Sequence, residues 1–282
     1  LMKQRLGSEA PGALDHLASL RASDVVVTRG QYDHIEQVLH RSEVRHTVVD
    51  PLRVREGTLS PEQLVFVNCP GTFSPEGLAE LRRFVDEGGF LFTTDWALRQ
   101  VLEPAFPGYV EFNGQGTADD VVRVEIARKD DPFLASLLTE QDDPQWWLEG
   151  SSYPIRILRP DAVEVYLSSE ELGEKYGEPA VLVAFDHGKG RVYHMISHFY
   201  LQRTEARTAR HSGSAYDYLR EKGVREEDFG LYRELGGDDV SLSEFEAALS
   251  SRSIMGSVMR ERVERRRGEG RSPKPRDPSD TE

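Results

Sequence analysis

The first part of the chain contains short apolar runs, which predict the strands of a buried sheet. They occupy residues 24–28, 46–50, 64–68 and 90–94. Each run is rich in Val, Phe or Thr and nearly continuous in its hydrophobicity. This pattern is typical of parallel strands that are covered on both faces.

Stretches with helical periodicity separate these strands. Residues 34–41 carry apolar side chains at helical spacing, and a longer helix is predicted to begin at Ser74-Pro75, which supplies an N-cap and a first-turn proline. Gly88-Gly89 ends that helix. The alternation of strands and helices predicts an α/β fold with three layers, built on a mostly parallel, flavodoxin-like sheet.

The pattern weakens after residue 106. Further strands are predicted at residues 121–127, 162–167, 180–185 and 191–196, and the last two are joined by a hairpin turn, Asp186-His-Gly-Lys-Gly190. Residues 242–267 form an amphipathic helical stretch. We therefore expect four parts: an N-terminal extension (1–20), an α/β domain (21–210), a helical appendage (211–267) and a disordered tail (268–282).

Composition excludes several classes of function. The 282 residues are 38% hydrophobic and 30% charged, with a formal net charge of −14, which disfavours nucleic-acid or membrane-surface binding because both need a cationic face. A single cysteine rules out an intrachain disulfide and fits a reducing compartment. No apolar stretch has the length of a signal peptide or membrane span, so a cytoplasmic location is expected. The Leu1-Met2 start indicates a non-native N-terminus and leaves a lost leader open.

Candidate site residues follow from where the strands end. In an open parallel sheet, ligands bind at the carboxyl ends of the strands, beside the switch in strand order. We expect Asp95 and His198 to be the catalytic residues if the protein is an enzyme. The expected binding residues are Arg29, Asn68, Cys69, Trp96, Trp147, Glu149 and Ser197. Arg29, Cys69 and Asp95 would line one cleft if the strand order is flavodoxin-like.

Most of these residues have a structural interpretation beside the functional one. Asp95 either acts chemically or caps the following helix; Cys69 is either a displaced nucleophile or a small buried hydrophobe. His198 is either an acid–base group or a hydrogen-bonded core histidine. The Trp146-Trp147 pair either lines a groove or plugs the space beside the sheet. No cofactor is expected. His194 and His198 could join Asp95 as a metal site, but four residues apart on one strand the two histidines would lie ~13 Å apart unless a helical turn begins near Ser197, so no metal is expected.

Two segments resemble a known superfamily. VFVNCPGTFSPEGLAELRRFVDEGGFLFTTD matches a strand, a Pro-Gly loop, a helix and a strand of the class I glutamine amidotransferase-like superfamily. HGKGRVYHMISHFY resembles a hairpin strand that ends in a histidine in its ThuA-like branch. Together the segments cover about half of the chain, and the resemblance implies the same α/β fold.

The chain departs from this superfamily at the reactive position. Amidotransferases place a nucleophilic cysteine on a strand-to-helix elbow, G-x-C-x-G, whereas residues 93–97 here read Thr-Thr-Asp-Trp-Ala. The acid expected two residues after His198 is also replaced, by Tyr200. The resemblance therefore implies a non-amidotransferase member without thiolate chemistry.

Two functions remain open at this stage. The first is a catalytically degenerate module that binds a small molecule or a protein through the strand-end cleft, with the helix at residues 242–267 as a second surface for a protein partner. The second is a hydrolase in which His198 is the base, Asp95 orients it or attacks, and Arg29 or a backbone N–H stabilises an oxyanion. For that enzyme the ThuA-like resemblance implies a carbohydrate-related or small polar substrate.

Overall fold

The computed structural model describes residues 21–41, 44–127 and 145–198, together with five helical residues near the C-terminus: Val258, Met259, Glu261, Arg262 and Arg265. The predicted N-terminal extension, the tail and most of the appendage lie outside the described residues. Within the described part, no helix combines the length and apolar character needed to cross a membrane.

The secondary structure alternates as the sequence predicts up to residue 94. The strands are β1 (Val25–Thr28), β2 (Thr47–Val49), β3 (Leu64–Val67), β4 (Phe90–Thr94), β5 (Val110–Phe112), β6 (Asp120–Arg123), β7 (Glu125–Ile126), β8 (Gln145–Leu148), β9 (Ile155–Ile157), β10 (Val163–Ser168), β11 (Ala180–His187) and β12 (Gly190–Met195). The helices are α1 (Ile35–Arg41), α2 (Pro75–Asp86), α3 (Glu103–Ala105) and α4 (Glu170–Tyr176), with a 3-10 turn at Pro51–Arg53 and a π-helix at Leu98–Leu102.

The main sheet has eight strands in the order β2-β1-β3-β4-β12-β11-β10-β7. The pairs from β2 through β12 are parallel, and the remaining three pairs are antiparallel. The strand order reverses at β1, which has β2 on one side and β3 on the other. The predicted α/β fold with a mostly parallel sheet is thus confirmed, and its switch point lies beside the ends of β1 and β3.

Helix α2 forms for the local reasons that the sequence indicates. The Ser74 side chain accepts a hydrogen bond of 3.2 Å from the Gly77 N–H at the N-terminus, and Pro75 follows in the first turn. The apolar stripe of the helix is buried against the sheet. After the helix, the chain turns closely against the β11–β12 hairpin: a Cβ at Gly190 would lie 2.2 Å from the Gly89 carbonyl oxygen.

After residue 106, where the sequence pattern is weaker, the structure contains two small sheets that the sequence does not predict. The predicted strand at residues 121–127 is two strands, because β6 pairs with β8 whereas β7 joins the edge of the main sheet. A second small sheet is formed by β5 and β9. The tryptophan pair lies on β8, where Trp146 is buried and donates from its indole to the Ile196 carbonyl at 2.9 Å. Trp146 therefore plugs the space between the small sheet and the end of β12.

The five described C-terminal residues pack against the main sheet. Val258 and Met259 are buried, and the Glu261 carboxylate accepts a hydrogen bond from the Tyr193 hydroxyl. Glu261 also lies 3.3 Å from the Nε of Arg191, whose guanidinium is almost fully buried. These five residues, called the C-terminal segment below, thus make both apolar and ionic contacts with the main sheet, the ionic ones with β12.

Candidate functional site

Polar side chains from five separate segments meet where β1, β3, β4 and β12 end. Cys69, Asp95 and His198 each place one donor atom within 4.8 Å of the others, and all three are buried. Asp33 and Glu149 border this group through their interactions with His198. These five residues are called the rim cluster below.

The position of Cys69 is set by a close approach between two loops. The Cys69 carbonyl accepts hydrogen bonds from the backbone N–H groups of Gln31, at 2.9 Å, and Tyr32, at 3.3 Å. The approach requires glycine at position 30, because a Cβ there would lie 2.4 Å from the Asn68 Cβ. The loop after β1 and the loop after β3 are therefore held together at the switch point.

Asp95 occupies a strained elbow between β4 and the π-helix. Its φ is 45°, in the left-handed region that a non-glycine residue adopts at a cost of ~1–2 kcal/mol. Its Oδ1 accepts from the Tyr153 N–H at 2.9 Å and its Oδ2 from the Ser152 hydroxyl at 3.2 Å. The helix-cap interpretation is wrong, because the carboxylate bonds to this distant loop and no side chain caps the helix.

Glu149 and Asp95 lie on opposite sides of the His198 ring. The Nδ1 contacts the Glu149 carboxylate, and the Nε2 is 3.5 Å from Oδ2 of Asp95. The Ser197 hydroxyl accepts a hydrogen bond of 3.2 Å from the Glu149 N–H, which fixes the start of the Glu149 loop. Burial alone would lower the pKa of His198, but the hydrogen bond to Glu149 and the carboxylates of Asp33 and Asp95 raise it above its usual value.

Asp33 is a member of the rim cluster that the sequence interpretation missed. Its side chain is fully buried and accepts hydrogen bonds from the Thr94 hydroxyl at 2.7 Å and the His34 N–H at 2.8 Å. Burial raises the pKa of this carboxyl, and the neighbouring His198 partly offsets the rise. The available signal was its place in the loop after β1, at the same edge of the sheet as the other candidates.

Burial also raises the pKa values of Asp95 and Cys69. It raises the pKa of Asp95 to about 6, against the opposing effect of His198 and the two loop hydrogen bonds. It raises the pKa of the Cys69 thiol strongly, with Asp95 adding to the rise, while a hydrogen bond from the Trp96 backbone N–H opposes it. In isolation, Cys69 is therefore a protonated thiol and a poor nucleophile.

The Trp96 N–H has a further significance. In a nucleophile elbow, the N–H of the residue that follows the nucleophile is one of the donors to a developing oxyanion. Here the residue after Asp95 is Trp96, whose backbone N–H lowers the pKa of the Cys69 thiol and so partly opposes the effect of burial. The left-handed φ of Asp95 shows that the backbone geometry of an elbow is present.

The remaining predicted site residues have other surroundings. Arg29 is exposed, and its guanidinium makes no hydrogen bond or ion pair within the described part of the chain. Asn68 is buried and accepts from the Ile35 N–H at 3.1 Å, so it supports the start of α1. Trp96 donates from its indole to the Ser151 carbonyl at 2.7 Å and stacks on a neighbouring tyrosine. The indole of Trp147 donates to Asp119, outside the rim cluster.

No family model and no curated protein sequence matches the chain. Among solved structures it is similar to a ThuA-like protein from Bacteroides uniformis, with 13% identity and a TM-score of 0.44 over 61% of this chain and 80% of that one. It is similar to a cytoplasmic protein from Salmonella typhimurium, with 10% identity and a TM-score of 0.45 over 65% of this chain and 91% of that one.

A third similar structure is a GH42 β-galactosidase, Gan42B, from G. stearothermophilus. The identity is 14% and the TM-score 0.43, and the match covers 77% of this chain. The chain spans 30% of the length of that glycosidase. Identities this low bear on fold alone, and at these TM-scores the three similarities carry no information about activity, substrate or partners.

Proposed function

We propose that this protein is a binding module of the amidotransferase-like, ThuA-related kind, which holds a ligand at the rim cluster and performs no amidotransferase chemistry. The observation that carries the proposal is the occupation of the Asp95 carboxylate at the elbow. Both of its oxygens accept hydrogen bonds from the loop at residues 152–153. Nucleophilic attack by Asp95 would have to break these contacts.

The composition of the rim cluster supports ligand binding. Asp33, Cys69 and Asp95 are almost completely buried, and Glu149 lies at their edge. Buried acidic groups are costly unless they are protonated, hydrogen-bonded or paired with a cation. A set of three carboxyl groups and a thiol around one imidazole therefore favours a ligand that brings positive charge or hydrogen-bond donors.

The test is a thermal-shift screen of the full chain against sugars, nucleotides and divalent cations, repeated on Asp95→Asn and His198→Gln. We expect at least one ligand class to raise the Tm of the parent protein and to lose that effect in both variants. At ligand concentrations of 100 times Kd, linkage gives ~2.7 kcal/mol of stabilisation. A stabilising ligand that acts equally on the parent and both variants would contradict the proposal.

A hydrolase is the second candidate, and a specific geometry favours it. The left-handed φ at Asp95, the contact of Asp95 with His198 and the contact of His198 with Glu149 together form a nucleophile–base–orienter arrangement. Its test is turnover of chromogenic glycosides and esters by the purified protein. Activity that Asp95→Asn and Glu149→Gln both reduce at least 100-fold would replace the binding module with an enzyme.

A further inference from the structure

We propose that the rim cluster binds a divalent transition-metal ion of the zinc type, with Cys69 Sγ, an Asp95 carboxylate oxygen and His198 Nε2 as its ligands. This inference rests on the proposed function, since it names the ligand that the module holds. It differs from the expectation drawn from the sequence, which considered His194 and His198 together with Asp95 and expected no metal. The three donors come instead from the ends of three neighbouring strands.

The three proposed ligand atoms lie close enough to bind one ion after a small decrease in the distances between them. Two nitrogen or oxygen ligands on a tetrahedral zinc ion lie ~3.3 Å apart, and a sulfur lies ~3.6 Å from its neighbours, given ordinary zinc–ligand bond lengths. Oδ2 of Asp95 and Nε2 of His198 are 3.5 Å apart. All three donors are within 4.8 Å of one another, so a shift of about 1 Å at Cys69 brings the sulfur to bonding distance.

The identities of the donors select the class of metal. A thiolate and an imidazole are preferred by zinc and its transition-metal neighbours, whereas magnesium and calcium prefer sites made of oxygen. With a carboxylate as third ligand, the set resembles those of metal sites that keep one position open for water or an exogenous group. The rim cluster therefore favours Zn²⁺ or Co²⁺ over Mg²⁺ or Ca²⁺.

Contacts with neighbouring residues orient each of the three proposed metal ligands. Glu149 contacts the Nδ1 of His198 and so leaves the Nε2 directed towards Asp95; this is the carboxylate–histidine arrangement that supports metal-bound imidazoles. The hydrogen bonds from Ser152 and Tyr153 fix the Asp95 carboxylate. The backbone of Cys69 is fixed by the hydrogen bonds that its carbonyl accepts from the N–H groups of Gln31 and Tyr32.

The charges around the cluster also favour a cation. The charged groups that act on Asp95 are His198 and Glu149, and those that act on Asp33 are His198 and His34. In the described part of the chain, neither carboxylate has a lysine or arginine as an ion-pair partner. A divalent ion would compensate the acidic side chains at the point where they are closest together.

Binding has a defined chemical balance. The Cys69 S–H bond breaks, a sulfur–metal bond forms, and the proton passes to the buffer; any proton on the Nε2 of His198 also passes to the buffer before that nitrogen binds the ion. Calorimetric titration of Zn²⁺ in two buffers with different ionisation enthalpies counts the protons released, and Cys69→Ser should lower that number by about one.

The decisive experiment is a Co²⁺ titration of the full chain after treatment with a chelator. We expect a sulfur-to-cobalt charge-transfer band in the near ultraviolet and intense visible bands of a tetrahedral site. Cys69→Ser should remove the charge-transfer band, and His198→Gln and Asp95→Asn should each weaken Co²⁺ binding at least 10-fold. His46→Gln is the matched control, since this half-buried histidine lies at the opposite end of the sheet, and it should leave both bands unchanged.

The experiments can reject the metal site without rejecting the proposed binding function. A Co²⁺ spectrum without a sulfur band, or with a band that survives Cys69→Ser, overturns the metal site. If Zn²⁺ and Co²⁺ fail to bind while another ligand stabilises the parent protein but not Asp95→Asn, the metal inference fails and the binding module stands. Circular dichroism of each variant separates lost binding from lost folding, and Cys69→Ser keeps the size of the side chain for the same purpose.

Discussion

Oδ1 of Asp95 accepts a hydrogen bond of 2.9 Å from the backbone N–H of Tyr153. This contact ties the elbow after β4 to the loop after β8, and the Ser152 hydroxyl reinforces it from the same loop. Asp95 therefore connects two separate segments of the candidate site. Substitutions at Asp95 can separate the contribution of its hydrogen bonds to stability from the contribution of its charge.

Asp95→Ala should lower the free energy of unfolding by about 2 kcal/mol, because it leaves two buried donors without an acceptor. Asp95→Asn retains an acceptor oxygen and should cost less than about 1 kcal/mol. Urea unfolding in a chelating buffer measures both values without a contribution from bound metal. Equal losses in the two variants would show that the charge next to His198, and not the hydrogen bonding to the loop, is what stabilises the elbow.

Glu80 provides a second test, in the core and away from the rim cluster. Its side chain is fully buried on α2, accepts from the Leu59 N–H at 2.8 Å and pairs with Arg83 at 2.7 Å. Glu80→Ala should destabilise the fold by about 2 kcal/mol, since it leaves the Leu59 N–H without its acceptor and removes one partner of Arg83, which keeps Glu87. The matched control is Glu87→Ala, which removes the exposed partner of the same arginine and should cost no more than about 0.5 kcal/mol.

His194 predicts a specific dependence of stability on pH. Burial lowers its pKa to about 3, although the Thr93 contact opposes the shift. Between about pH 6.5 and pH 3, the unfolded chain therefore binds a proton that the folded chain excludes, and stability falls as the pH falls. The loss from this group approaches ~1.4 kcal/mol per pH unit within that window.

The measurement is the free energy of unfolding between pH 4 and pH 7 by urea titration. His194→Gln should reduce the slope against pH by about one proton. Thr93→Val removes the hydroxyl that contacts Nδ1 but keeps the imidazole, so it should lower stability and leave the slope intact. An unchanged slope in His194→Gln would mean that other groups cause the acid sensitivity.

The C-terminal segment should loosen when its central acid is removed. Glu261 contacts both the Tyr193 hydroxyl and the buried Arg191 guanidinium. Glu261→Ala should destabilise the protein by about 2 kcal/mol, because a buried cation and a hydroxyl each lose a partner. Hydrogen exchange should become faster at the backbone amides of Val258, Met259, Glu261, Arg262 and Arg265. Arg265→Ala, which removes more exposed ion pairs with Asp186 and with Glu261 itself, should cost less than about 1 kcal/mol because Glu261 keeps its contacts with Arg191 and Tyr193.

The sequence predicts the main sheet well because local signals determine it. The apolar runs of β1 and β3 are buried on both faces, Ser74 caps α2 as expected, and the turn at Gly188 joins β11 to β12. The two small sheets were missed for the opposite reason. Their strands are three or four residues long, and their pairing depends on partners that are distant in sequence.

The position of the candidate site could be predicted from the sequence, but the contacts of its side chains could be predicted only in part. The rule that ligands bind at strand ends selected Cys69, Asp95 and His198, which the structure brings together. It also selected Arg29, whose exposed side chain lies apart from them. No local pattern tells whether Asp95 bonds to its own helix or to a loop that arrives after residue 150. Such a contact follows from the tertiary fold and not from helix-capping preferences.

The placement of β12 has a consequence for how the chain is made. Among the strands that the structure describes, β12 is the last of the main sheet in sequence, yet it lies between β4 and β11. On the ribosome, one edge of the fully buried strand β4 has no partner until residues 190–195 emerge. Exposed edges of apolar strands readily pair with other chains. Shortened translation products that end before β12 should therefore aggregate or depend on chaperones. The nascent chain would run the same risk of aggregation until β12 inserts.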